Sequence, residues 1–410
     1  MGYCSLSIKA GTRNEDGFSS GIAHFCEHTI FKGTSRKSAA VVNSRLEKLG
    51  GELNAFTTKE EIVLHATTLK ADVAKAASLL LELAFDARFP EDEIEVEKGV
   101  VIDEIASYKD APSEDIYDSF EERLFAGSPL SRPILGTQES VQGITSEELR
   151  RFRSTFFTPE RMVLTMVSPL SEDKMASIVE KCISRACERY SVQGAGSAEA
   201  SCSGSPAAVA AAECLTASGP ALCPVAVPFC VTEDKDDNQV NCIIGAPAPR
   251  QDCEQERLAT ILLCNILGGP ASNSVLGAVL REKHGWVYNV ECGYTPYSDC
   301  GIATIQFGCE KENLQRCLRV VRAQLRRFIE KPMAEWRLNA AKRQMLAQNA
   351  IGLENGETQC ISMGKSLLSY GVILSDGEVR RKVMAIPASL VQRMACEIFS
   401  PDKVSTLIYL

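Results

Sequence analysis

The chain opens on MGYCSLSIKAG, an alternation of apolar and polar positions that predicts a strand. The same period of two runs through Glu61–Leu69 and Gly301–Gly308. Each of those strands is followed by a helical pattern, over Ala71–Phe85 and over Glu312–Ile329. The order is repeated in other ways. Leu46–Gly50 (LEKLG) matches Arg281–Gly285 (REKHG) at an offset of 235 residues. Phe157-Thr-Pro-Glu-Arg matches Phe399-Ser-Pro-Asp-Lys at an offset of 242, and each leads into an apolar strand. Two matches in the same order at nearly the same offset indicate duplication of an α+β unit. Between Gly194 and Pro224 the pattern lapses into an Ala/Ser/Gly tract in which Glu199 and Glu213 alone carry charge. The division that follows is a first domain over 1–190, a linker over 191–225 and a second, homologous domain over 226–410.

Composition narrows the function classes. At 410 residues the chain exceeds one ordinary core, and its 45% apolar and 24% charged residues are those of a globular protein. A net charge of -9 argues against nucleic-acid binding, which calls for a basic face. Ala221–Val231, the most apolar stretch, is broken by Pro224 and Pro228, so no membrane span is expected. The seventeen cysteines contain no C-x-x-C pair and are odd in number. They read as reduced, buried thiols, and with no signal peptide at the start the expected address is cytoplasmic.

Two of the four histidines fall in His24-Phe-Cys-Glu27-His28. An H-x-x-acid-H arrangement arises by chance in about one such chain in 200. Ser19, Ser20 and Gly21 offer a helix start and Gly33 a stop, leaving room for three turns. On a helix, positions i and i+4 put both imidazoles on one face, as two ligands of one metal require. Glu27 adjoins them, whereas Cys26 lies about 200° around from His24 and points away. A catalytic zinc then needs a third protein ligand and an open position for water. The acidic helix expected over Glu91–Asp110 places Glu97 and Glu104 on one face with Val100 and Val101 between them, and both carboxylates are candidates.

The motif HFCEHTIFKGT resembles the active-site helix of the pitrilysin and insulinase family of zinc peptidases, above all the branch of mitochondrial processing peptidase and its bacterial relatives. The likeness extends over GGELNAFTTKEE at Gly50–Glu61 and LGGPASNSVLGAVLREKHGWVYNV at Leu267–Val290. It implies two α+β domains, each a mainly antiparallel sheet packed with helices, facing each other across a peptide-binding chamber. It implies Zn2+ on His24, His28 and Glu104, Glu27 as general base, and Glu97 supporting the site. It also implies that Arg281 and Tyr288 bind substrate, and that a peptide adds as a further strand along Asn54-Ala55-Phe56. The implied partners are a peptide substrate and a second copy of the chain or a related subunit.

The chain departs from the family pattern in three places. The family usually carries one more strand ahead of the position of Gly2, the Ala/Ser/Gly tract is longer than the usual connector, and only Gly268-Gly269 stands where a non-catalytic subunit carries a long glycine loop. None touches the zinc residues, and the last favours a catalytic subunit or a bacterial self-associating enzyme. The expected function is a zinc metalloendopeptidase; the alternative is a non-catalytic scaffold or partner subunit of the same fold. A purely structural zinc would favour four protein ligands and leave Glu27 without a role. Of the other histidines, His65 reads as a satisfied strand residue and His284 as part of the Arg281 loop, with Trp286 beside it a packing residue.

Overall fold

The computed structural model describes residues 1–190, 227–235 and 239–410. The linker expected over 191–225 lies outside the described residues. The rest forms two compact units, each a sheet covered by helices.

The first unit is built on four antiparallel strands: β1 (Gly2–Ile8), β2 (Glu52–Thr57), β3 (Ile62–Thr68) and β4 (Met162–Val167), in the order β2-β3-β1-β4. Strand β2 is an edge. Cys4, Leu6 and Ile8 of β1 are buried in a core that includes Leu79, Leu80 and Leu83 of helix Val73–Asp86. The second unit holds β5 (Cys230–Glu233), β6 (Val240–Pro247), β7 (Val287–Pro296), β8 (Gly301–Cys309) and β9 (Ser405–Tyr409), in the order β5-β9-β6-β8-β7. Only β5 runs parallel to its neighbour.

Setting β5 aside, the second sheet repeats the first strand for strand, with β6, β8, β7 and β9 standing where β1, β3, β2 and β4 stand. The matched pentapeptides explain themselves in the same terms. Gly50 follows helix Ala39–Glu47 and Gly285 follows the helical segment Gly277–Lys283, and their φ angles of 69° and 62° are both left-handed. Each glycine ends its helix in a conformation that a side chain would resist. The two matched phenylalanines, Phe157 and Phe399, are both buried just ahead of β4 and β9.

The linear division into 1–190 and 226–410 needs correction. The first unit comprises Met1–Ala106, the described stretch from Arg132, and Ile351–Ile373; Ser107–Ser131 belongs to the second unit. Helix Gly356–Tyr370, from the far end of the chain, packs on β1 and β4, and helix Pro112–Leu124, from the first half, packs on β6 and β9. The reason is sheet burial. The strand alternation leaves Ser5 and Ser7 on the second face of β1, yet both are fully buried under Gly356–Tyr370. In the second unit Gly245 of β6 takes the ring of Phe120, which an added Cβ would meet at 2.9 Å.

Candidate metal centre

The motif helix is shorter than expected, Ile22–Thr29, and its cap is not a serine. Gly21 takes the N-cap position with a φ of 84°, while the buried carboxylate of Glu15 accepts from the backbone N–H groups of Gly21 and Ala23, each at 3.0 Å. Burial pushes the Glu15 carboxyl up to about 8, with those two donors opposing the shift. Ser19 instead donates to Glu148. At the other end, Thr29 folds its hydroxyl back onto the Phe25 carbonyl at 2.6 Å.

His24 and His28 share one face, with ring centroids 4.5 Å apart. The acidic helix, Glu91–Lys109, brings Glu104 against them. Glu104 Oε2 lies 3.8 Å from His24 Nε2 and 3.5 Å from His28 Nε2. Donors held about 2.0–2.1 Å from a tetrahedral ion lie about 3.4 Å apart, so the two separations from Glu104 suit ligands of one zinc. Among the described residues this trio is the one group of His, Cys, Asp and Glu whose ligand atoms gather within 4.8 Å. Burial, and then the neighbouring His28, pushes His24 down to about 3. It is therefore neutral and keeps a lone pair to donate.

Glu97 stands behind His28. Its Oε1 is 2.9 Å from His28 Nδ1, and its Oε2 is 2.5 Å from the ammonium of Lys32. Burial raises the Glu97 carboxyl, but the hydrogen bonds and charges of Lys32 and His28 outweigh it and hold the group below the usual carboxylate range. The two glutamates share a face, as the spacing predicts, and both turn toward the histidine helix. They border a buried stripe of Ile94, Val101 and Ile105, and Val100 turns outward.

Glu27 lies beside the trio, half-buried, and Oε2 accepts from the Thr57 hydroxyl at 3.1 Å. Its carboxyl is raised, first by burial and further by nearby Glu104, with His28 and Thr57 opposing. Cys26 points into the core, where burial pushes its thiol up to about 12. Asn54, Ala55 and Phe56 all lie on the edge strand β2. Asn54 and Ala55 line a cleft of about 680 Å³ together with Glu27, His28 and Glu97; Phe56 is not among its lining residues.

Arg281 and Tyr288 belong to the second unit. Arg281 lines a separate cleft of about 460 Å³ with Gly268 and Gly269 and pairs with Glu282 at 2.9 Å. Tyr288 is 87% exposed at an irregularity in β7. His65 accounts for itself through Glu357 at 2.9 Å, and His284 stacks on Trp286 at 4.1 Å. Sequence reasoning missed Lys32, Thr57 and Glu15. Lys32 is four residues beyond His28, a spacing that could have flagged it.

Comparison with known proteins then places the chain. A family model described as Insulinase (Peptidase family M16) matches residues 2–138, and one described as Peptidase M16 inactive domain matches 143–345. The chain belongs to the M16 family of insulinase-type peptidases. Among bacterial relatives, an uncharacterized zinc protease of Bacillus subtilis, YmxG, is 29% identical over 98% of this chain and 91% of its own length. One of Streptomyces coelicolor is 26% identical over 95% and 80%. Solved M16 structures share the fold. A peptidase M16 inactive domain from Pseudomonas fluorescens superposes with a TM-score of 0.83 at 19% identity, covering 100% of this chain and 92% of that one. A protease from Helicobacter pylori gives 0.83 at 19%, covering 100% and 94%. The trio, Glu27 and Glu97 all fall within the insulinase match. The segment matched as inactive contains a single histidine, His284, so the paired-imidazole motif cannot recur there.

Proposed function

We propose that this M16 protein is a zinc-dependent metalloendopeptidase acting on peptides or unfolded segments. The observation that carries the reading is the convergence of His24 Nε2, His28 Nε2 and Glu104 Oε2, with the unligated carboxylate of Glu27 beside them. Three donors leave a fourth position open, as catalytic rather than structural zinc requires. A zinc ion held there would supply Lewis acidity, activating water and polarising the scissile carbonyl.

The remaining work falls to the chain. Glu97 fixes His28 so that Nε2 faces the centre, as a hydrogen-bonded carboxylate commonly does for a ligating imidazole. Glu27 takes the proton of the attacking water and returns it to the leaving amine. Its raised proton affinity suits a base that must later act as an acid. The open edge of β2 pairs with the peptide backbone over Asn54-Ala55-Phe56, which reads main chain rather than sequence. Arg281 and Tyr288 are assigned to substrate binding on the likeness of their segment to the family.

The test is Glu27→Gln, which keeps size and shape but removes the basic oxygen. Zinc content should stay parental while cleavage of a peptide library falls by about 10²–10⁴-fold. Loss of zinc would make Glu27 a ligand, and parental cleavage would remove it as the base.

A further inference from the structure

We infer that Thr57 is the positioning residue for Glu27, holding one carboxylate oxygen so that the other takes the proton of the attacking water. The inference rests on the reading above and deepens it.

The geometry is specific. The Thr57 hydroxyl donates to Glu27 Oε2 at 3.1 Å, and among the described residues it supplies the one hydrogen bond that this carboxylate receives. The carboxylate torsion of a glutamate is broad and roughly two-fold, so an unheld Glu27 would present its oxygens over a wide arc. A single donor on Oε2 selects one orientation and leaves the lone pairs of Oε1 unused. Thr57 can do this because its own position is fixed. It closes β2 and faces Ile62 of β3 in the ladder, where Ile62 is fully buried. Its β-branched side chain has few rotamers available.

The location adds a consequence. Strand β2 carries no partner on its outer edge among the described residues, and this is the edge proposed to receive the peptide. The last residue of that strand holds the base. Peptide backbone and general base are thus referred to one strand, and the register of the peptide on β2 sets the position of the scissile carbonyl relative to Glu27. Removing the Thr57 hydroxyl should therefore slow the chemical step and leave peptide pairing alone.

The experiment uses the full-length, zinc-loaded protein with a quenched fluorescent peptide. Thr57→Val keeps the branched shape and removes the donor; Thr57→Ser keeps the donor. Thr57→Val is expected to lower kcat about 10-fold or more, as loss of a hydrogen bond to a charged group implies, with zinc stoichiometry unchanged. KM should stay within about twofold, since the contact serves the transition state. Thr57→Ser should recover most of kcat. In the Glu27→Gln background Thr57→Val should add no further loss, because the two residues act through one carboxylate. Parental kcat in Thr57→Val, no recovery in Thr57→Ser, or an equal loss on the Glu27→Gln background would each overturn the inference and leave Glu27 as the base. Parental cleavage by Glu27→Gln alone would instead overturn the underlying reading.

Discussion

His28 uses its two ring nitrogens differently, with Nδ1 2.9 Å from Glu97 and Nε2 3.5 Å from Glu104. That division depends on Glu97 staying ionised in a buried place, and Lys32, 2.5 Å from its other oxygen, supplies the countercharge. Replacing Lys32 with Met keeps the length of the side chain and removes the charge. Lys32→Met should weaken zinc binding about 10–100-fold, the usual cost of disturbing the partner of a ligating histidine. Competition with a chromophoric chelator measures this, and parental affinity would show that Glu97 needs no cation. The histidines and Glu27 were legible because helix geometry fixes their relation within five residues. Glu104 required the resemblance to separate it from Glu97, since periodicity gives both the same face. Thr57 and Glu15 were not legible. Their partners are set by how β2 and the loop before the motif pack on the helix, and no local period records that.

At the scale of elements, the strands and the main helices lie close to where hydrophobic pattern puts them. Val73–Asp86 was expected over Ala71–Phe85, and Gly301–Cys309 over Gly301–Gly308. What alternation cannot say is whether the polar face of a strand meets solvent. Ser5 and Ser7 look like the wet side of β1, yet Ser5 shares a 2.6 Å hydrogen bond with Thr165 beneath helix Gly356–Tyr370. Small side chains on the sheet and Gly364 on the helix let the two approach. A Cβ at Gly364 would lie 2.7 Å from Ser7 Oγ and 3.4 Å from both Ser5 Oγ and Thr165 Oγ1. Gly364→Leu should therefore overpack this seam and destabilise the first unit by about 1–3 kcal/mol, despite the better helix propensity of leucine. A fall in the urea midpoint checks it. An unchanged or raised midpoint would mean that the seam is looser than these distances imply.

For the whole molecule, duplication was readable and its execution was not. The pentapeptide matches locate the repeat, and the repeated strand order confirms it. But each sheet borrows a helix from the opposite half of the sequence, Gly356–Tyr370 on one and Pro112–Leu124 on the other. Both lie more than a hundred residues from most of the strands they cover, beyond the reach of any periodicity. The exchange makes a sharp prediction about cutting the chain. Residues 1–190 and 227–410, produced as separate polypeptides, each lack one covering helix and carry one that belongs elsewhere. Alone, the first fragment would expose the buried serine face of β1 and should not hold zinc at full stoichiometry. Produced together with a tag on one piece only, the two should co-purify and bind about one zinc per pair, because folding either sheet captures a helix from the other fragment. Size-exclusion chromatography with metal analysis reads both outcomes. If the first fragment were to run as a stable monomer with its zinc, helix Gly356–Tyr370 would be an accessory to the first unit rather than part of its core.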